Sequence, residues 1–258
     1  MLFKKKQSWV RFVNLIPGVE LVHPVIPTSE MNVDWIKRAA KDYREQLVNN
    51  LDPTKQQVSV SRCPGILNLY KFGYVVTNPV DFVITTNDID QQGKVHWETS
   101  ADYSGVDGRP YISTHSREQL GDFLNFRVDT LGSIIKVNTK WQVTMSDDIV
   151  LLQLPIPYPE HNYFSAVPGV LDGRYNTMIN VQLQWHRRKD KILVKAGTPL
   201  CQYIPVPRDF APNLVVERAT ADDEYLSQAW SYIDNKQYNK DKSSWYKQAA
   251  ALINKWRK

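Results

Sequence analysis

The chain has 258 residues, 42% of them hydrophobic and 11% aromatic, so it can bury a substantial core. Its net charge of +5 is modest, and nucleic acid is therefore not expected as a partner. With 11 glycines, 15 prolines and no low-complexity run or fixed repeat, the composition excludes a disordered chain, a solenoid and a collagen-like rod.

Compartment is predicted from what the sequence lacks and from its cysteines. No segment approaches the roughly 18 uninterrupted apolar residues of a membrane span, so no membrane partner is expected. The stretch from Trp9 to Pro17 contains Arg11 and is a poor signal-peptide core. Cys63 and Cys201 lie in apolar contexts without paired-cysteine spacing, which predicts two reduced, buried thiols in the cytoplasm.

The first part of the chain alternates between strand-like and helical patterns. Ser8 to Leu15 reads as a strand that ends at Pro17. Ser29 is a plausible helix N-cap, and the apolar stripe that follows at helical spacing predicts one helix over about residues 29–49. Between Val58 and Ile84 the pattern is strand-like again, and it resumes at 95–98.

The centre of the chain predicts the fold class. Closely spaced strands are expected at 134–137, 141–144 and 149–154, with no helical crossover between them. Strict alternation over Met178–Trp185 is the period of a half-buried strand. The prediction is a mainly β protein, an antiparallel barrel or a two-sheet sandwich, with one N-terminal and two C-terminal helices.

The C-terminal residues predict a helical extension. Thr220 followed by acidic residues is typical of a helix start. Trp245, Ala249, Leu252 and Trp256 then form one stripe at helical spacing, which either closes one end of the β domain or docks on a neighbouring subunit of a homo-oligomer. The expected organisation is a β domain over 1–210, with the helix at 29–49 inserted in it, and a helical extension over 211–258.

One turn and the strand after it carry a resemblance to a known family. The stretch Gly169-Val-Leu-Asp-Gly-Arg-Tyr175 is followed by a strand and by Val194-Lys-Ala-Gly-Thr-Pro-Leu-Cys-Gln202. This order resembles the third motif of trimeric dUTPases and the related dCTP deaminases. The resemblance covers about residues 150–208 and implies a dUTPase-like β scaffold that binds or processes a nucleotide.

The same resemblance implies roles for individual residues. Asp172 stands where the family's water-activating aspartate stands, Tyr175 where a tyrosine packs on the deoxyribose, and Gln202 lies on the neighbouring strand. The family's Pro-Arg-Ser-Gly phosphate motif is absent, so the cationic groups left to neutralise phosphates are Arg174, Arg187 and Arg188. Mg²⁺ is the implied cofactor if the nucleotide is processed. A structural interpretation is also sufficient: Asp172 can form an ordinary Asp-Gly turn, and Arg187 and Arg188 can form the charged tip of a hairpin.

A second resemblance covers more of the chain. Arg62-Cys-Pro-Gly-Ile-Leu, Gly197-Thr-Pro-Leu-Cys-Gln and Pro205-Val-Pro-Arg208 together resemble an uncharacterised protein family of tailed phages and bacteria. It implies a phage setting in the host cytoplasm and no particular activity. The alternative function is therefore a non-enzymatic phage structural protein or one that interacts with a host protein.

A third hypothesis comes from one metal-ligand pattern. His96-Trp97-Glu98 lies on a predicted strand, where residues two apart point to the same face. With His186 or His115 as third ligand it would form the two-histidine, one-carboxylate Fe(II) site of jelly-roll oxygenases. A chance match is the competing interpretation, because carboxylates are common in this chain.

Overall fold

The computed structural model describes residues 7–14, 16–49, 63–89, 95–101, 108–116, 119 and 130–209. The predicted C-terminal helices fall on 211–258 and lie outside the described residues. The chain divides into two compact units, residues 1–43 with 58–210 and residues 44–57 with 211–258. Every described strand belongs to the first unit.

The described residues form three helices and thirteen strands. The helices are α1 (Val19–Val22), α2 (Asp34–Asn49) and α3 (Pro64–Leu69). None of them combines the length and the apolar character needed to cross a bilayer. The strands are β1 (Val10–Asn14), β2 (Ile26–Pro27), β3 (Tyr74–Thr77), β4 (Phe82–Ile89), β5 (Val95–Thr99), β6 (Ile112–His115), β7 (Ile134–Met145), β8 (Ile149–Leu154), β9 (Phe164–Ala166), β10 (Gly169–Leu171), β11 (Met178–Trp185), β12 (Asp190–Val194) and β13 (Pro199–Pro207).

These strands make three open sheets in which every pairing is antiparallel. The first has the order β1-β7-β11-β9, with β6 also paired to β7; the second has the order β10-β8-β13-β3-β2; the third is β12-β4-β5. The predicted mainly β, antiparallel class is confirmed. The described strands do not close into a barrel, which agrees with the sandwich alternative.

The core confirms the alternation read from the sequence. Along β11, Ile179, Val181, Leu183 and Trp185 are fully buried, whereas the residues between them are only half-buried. Side chains from all three sheets contribute to a single hydrophobic cluster. Because a strand's side chains point alternately to opposite faces, one face of β11 lies in this core and the other remains free for a different role.

Strand β7 contains a bulge that the sequence pattern did not predict. One edge of β7 is shared by β1 and β6, and the pairing with β11 shifts register near Lys140. Lys140 has a φ of 62°, which is uncommon for a residue with a side chain. Its buried ammonium donates to the Arg109 carbonyl at 2.8 Å and lies 4.7 Å from the centroid of the Tyr111 ring.

The N-terminal helix begins later than the sequence predicts. Ser29 lies in a 3-10 turn over Thr28–Glu30, Met31 is extended, and α2 begins only at Asp34. The amide of Trp35, in the first turn of α2, donates to the Glu160 carboxylate at 3.0 Å. The partner for this amide therefore comes from a distant loop. The predicted N-cap at Ser29 is wrong, because α2 begins five residues later, at Asp34.

The cysteines agree with the prediction in part. Neither thiol forms a disulfide, and Cys201 is fully buried on β13, where burial raises its pKa. Cys63 precedes α3 and is only half-buried, so the expectation that both thiols are buried is wrong for Cys63.

Candidate functional site

The turn after β10 is organised by Asp172. The backbone amides of Tyr175 and Asn176 both donate to the Asp172 carbonyl at 3.0 Å. The Asp172 carboxylate accepts the amide of Arg174, also at 3.0 Å, which closes an Asx-turn. The structural interpretation of this Asp-Gly sequence therefore has direct support.

Two arginines hold the Asp172 carboxylate. Arg208, at the end of β13, donates to Oδ2, and the Nη2 group of Arg174 donates to the same oxygen at 3.0 Å. Arg208 is anchored in turn by the backbone carbonyls of Asp147 at 2.6 Å and Ile149 at 3.1 Å. The Asp172 and Arg208 side chains are only 17% and 13% exposed.

This environment bears on the role predicted for Asp172. The hydrogen bonds from Arg208, and then those from Arg174, hold the pKa of Asp172 well below its ordinary value. A carboxylate stabilised in its ionised form is a weak base, so the geometry favours a structural role over water activation. The general-base role stays a prediction.

The pairing predicts an acid-sensitive contribution to stability. Because the folded-state pKa of Asp172 lies below the unfolded value of about 3.9, its contribution is present above about pH 4 and is lost as the pH falls further. We expect Asp172→Asn to lower the melting temperature by several degrees at pH 7, and the gap from wild type to narrow towards pH 3. Thermal unfolding followed by circular dichroism at both pH values measures this gap.

Asp209→Asn is the matched control, since it removes an equal charge from the exposed residue next to Arg208. It should leave the melting temperature close to that of wild type. A stability gap for Asp172→Asn that does not change with pH would show that its carboxylate charge is not what holds the turn.

Tyr175 and Arg174 project from the turn. Tyr175 is 84% exposed, and the Arg174 guanidinium carbon lies 5.5 Å from the centroid of its ring. The ring is thus the most exposed of the large hydrophobic side chains described. An exposed ring has a free face for stacking, which the predicted contact with a sugar requires.

Gln202 is not brought to the turn. It is buried, and its amide nitrogen donates to the backbone carbonyls of Leu69 at 2.8 Å and Phe72 at 2.6 Å. In the sheet, Leu171 lies opposite Leu151, which itself faces a residue three positions beyond Gln202, a separation of about 10 Å along the strands. Gln202 therefore joins β13 to the loop after α3.

Arg187 and Arg188 lie beyond the other end of β11. Seven residue steps separate Met178 from Trp185, which amounts to about 23 Å of strand. Arg187 donates to the Asn162 side chain at 2.6 Å and, with Arg188, lines a surface depression of about 450 Å³. The length of β11 therefore places these arginines at the far end of the strand from the Asp172 turn.

The predicted metal ligands are also separated. His96 and Glu98 share the exposed face of β5, as expected for residues two apart on a strand. The Nε2 atom of His186 lies 2.8 Å from the Ser165 hydroxyl. No group of three or more histidine, cysteine or acidic residues in the described part of the chain is arranged to hold a metal ion. The predicted Fe(II) triad is therefore not assembled among the described residues.

A cavity next to the turn has no counterpart among the sequence predictions. It has a volume of about 150 Å³ and lies between β10 and the half-buried face of β11, with one contribution each from β8 and β13. Its polar lining consists of Gln153, Asn176, Asn180, Gln182 and Tyr203. The alternation on β11 did place Asn180 and Gln182 on the face opposite the apolar one, but it did not predict a cavity there.

Arg208 was not predicted either, although it is the principal partner of Asp172.

No family model matches this chain, and no curated protein is significantly similar to it in sequence. The molecule is therefore defined by its geometry, as a mainly β protein with a small polar cavity beside an arginine-clamped turn.

Proposed function

We propose that this protein binds a nucleotide or nucleoside, with the base in the cavity between β10 and β11. The observation that carries the proposal is the lining of that cavity. All eleven of its described lining residues are uncharged, and four of them are asparagine or glutamine. A neutral ligand with several hydrogen-bonding edges suits such a lining better than an ion does.

The chemistry of the lining fits a base. An amide side chain offers both a donor and an acceptor, and the edge of a nucleobase presents both kinds of group side by side. A cavity of about 150 Å³ is large enough for one six-membered ring. Val170 and Leu171 on β10 and Met178 on β11 add the apolar contact that the faces of a ring need.

The turn would serve the rest of the ligand. Asn176 belongs both to the turn and to the cavity lining, so the turn and the cavity adjoin. The exposed Tyr175 ring can pack on a sugar, and the half-exposed Arg174 can contact a phosphate. The clamped Asp172 makes binding without hydrolysis the form of the proposal that the geometry supports best.

Binding to the folded state alone must raise the melting temperature, so a thermal-shift panel of nucleobases, deoxynucleosides and deoxynucleotides is the direct test. At least one member should stabilise wild type at millimolar concentration. Asn180→Ala and Gln182→Ala should each weaken that ligand's affinity by about tenfold or more, because each removes a paired amide. Calorimetric titration measures the change in Kd.

Gln184→Ala is the matched control. Gln184 lies on the same half-buried face of β11 but does not line the cavity, so its loss should leave the Kd unchanged. The proposal fails if no member of the panel stabilises the protein. It also fails if the Asn180 and Gln182 variants bind as tightly as the Gln184 variant.

A further inference from the structure

A second cavity, which shares no lining residue with the first, lies between the N-terminal end of α2 and the loop after β8. Its volume is about 140 Å³. Its walls are aromatic and aliphatic: Val33, Trp35, Ile156, Tyr158 and Pro199 line it together with the ring of His161. We propose that it is a binding site for a small neutral aromatic molecule that carries one hydrogen-bonding group, such as a phenol.

The aromatic walls are held in place by specific contacts. The centroids of the Trp35 and Tyr158 rings are 5.5 Å apart in a tilted arrangement. The Tyr70 hydroxyl accepts the Trp35 indole N–H at 3.3 Å and donates to the Pro157 carbonyl at 2.6 Å. The same hydroxyl therefore fixes the positions of both walls, so a ring entering the cavity meets a preformed slot.

The loop carries backbone strain at Tyr158. Its φ is 49°, a region that a bulky residue rarely adopts, and the proline that follows it further restricts its backbone. Even so, Tyr158 is 53% exposed, so its ring is not placed there to fill the core. Strain of this kind persists only where the surrounding structure holds the residue in place, and such positions cluster at binding sites.

The polar groups of the cavity favour a neutral ligand. The Glu160 carboxylate is already paired, accepting the Trp35 amide at 3.0 Å and the Arg38 guanidinium at 3.2 Å. No uncompensated carboxylate is therefore left in the described lining to attract a cation. An apolar slot of this size accepts one aromatic ring.

His161 supplies the hydrogen-bonding group. Its ring stacks on that of Tyr163 and lies tilted against that of Phe164, with centroids 4.2 Å away in both cases. Its Nδ1 atom is buried and has no hydrogen-bond partner among the described residues. Burial, and then the charge of His186, lowers the pKa of His161 to about 4, so the ring is neutral at neutral pH. A hydroxyl that both donates and accepts can satisfy either tautomer of the ring.

The test is a titration of the full chain with phenol, and with toluene as the ring that lacks a hydroxyl, followed by the NMR signal of the Trp35 indole N–H. Phenol should shift this signal saturably, with a Kd in the millimolar range. This Kd should be lower than the Kd of toluene. His161→Phe keeps the ring stack and removes the nitrogens. It should therefore weaken the affinity for phenol by about fivefold or more and leave the affinity for toluene unchanged.

Tyr158→Ala removes a wall that is half-exposed, so the variant should fold. It should weaken the affinity for both phenol and toluene. Trp9→Phe is the matched control, since Trp9 is an exposed tryptophan outside the cavity, and it should change neither affinity. The inference is overturned if phenol produces no saturable shift at Trp35, or if the His161 and Tyr158 variants bind phenol as wild type does. A nucleotide panel that finds no ligand has no bearing on this outcome, because the two cavities share no residue.

Discussion

Gly73→Ala is expected to cost about 4 kcal/mol or more of unfolding free energy, because two separate penalties fall on one methyl group. Gly73 has a φ of 72°, which disfavours any residue with a Cβ. A Cβ at this position would also lie 1.9 Å from the carbonyl oxygen of Tyr203 and 2.8 Å from its carbonyl carbon. Both atoms are backbone atoms of β13, so no side-chain rotation can relieve the contact.

The position explains the severity. Gly73 immediately precedes β3, which pairs with β13, and its own carbonyl accepts the Thr28 amide at 3.0 Å. The neighbouring Phe72 carbonyl accepts the Gln202 side chain. A shift of Gly73 away from Tyr203 would therefore disturb both hydrogen bonds. Domains are stable by only about 5–15 kcal/mol, so a large fraction of the variant should already be unfolded at low urea concentration. Urea titrations at 25 °C measure this fraction.

Two other glycines separate the penalties. Gly108 has a φ of 70°, and no atom of the described residues lies within 4 Å of the position that a Cβ would take, so Gly108→Ala should cost only the conformational term, about 1–2 kcal/mol. Gly132 has no left-handed φ and, within the described part of the chain, no neighbour within 4 Å of that position, so Gly132→Ala should stay within about 0.5 kcal/mol of wild type. Equal costs for Gly73→Ala and Gly108→Ala would show that the contact with Tyr203 is relieved by backbone movement.

Trp185→Ala is expected to cost about 3–5 kcal/mol, the range for deleting a fully buried aromatic side chain. Trp185 ends β11 with no exposed surface, and its ring lies 6.1 Å from that of Phe164 and 5.7 Å from that of Tyr163, measured between centroids. The cavity left behind would adjoin side chains of several strands, which cannot all move inward. Chemical denaturation followed by circular dichroism measures the loss.

Trp185→Phe should be much milder, and the reason is specific to this site. The indole N–H of Trp185 is buried and has no hydrogen-bond partner among the described residues. Phenylalanine removes that unsatisfied donor, which offsets part of the smaller cavity it creates. We expect a cost of about 1 kcal/mol or less. If Trp185→Phe is as destabilising as Trp185→Ala, then the loss of stability comes mainly from the packing of the part of the indole that phenylalanine lacks, and the unsatisfied donor contributes little.

Local sequence patterns were sufficient for the fold class and for the alternation within β11, but they divided the single strand β7 (Ile134–Met145) into two and read the stretch that contains α3 (Pro64–Leu69) as strand-like. The alternation over 178–185 correctly separates the core face of β11 from its polar face, because the two-residue period of a strand is a local property. The Asp172 turn was equally readable, since an Asx-turn is closed within four residues. The start of α2 was misplaced because an amide of its first turn, that of Trp35, bonds to Glu160, more than a hundred residues away.

The same contrast between local pattern and distant contacts applies to the candidate site. The sequence by itself determined which residue types were present for a site: an aspartate turn, several arginines, and asparagine and glutamine on one face of a strand. Only the tertiary structure decided that Arg208 holds Asp172, that Arg187 and Arg188 lie at the other end of β11, and that Gln202 is bonded to the loop after α3. The physical reason is that pairing between distant strands sets which ends meet, and neither spacing nor composition encodes that register.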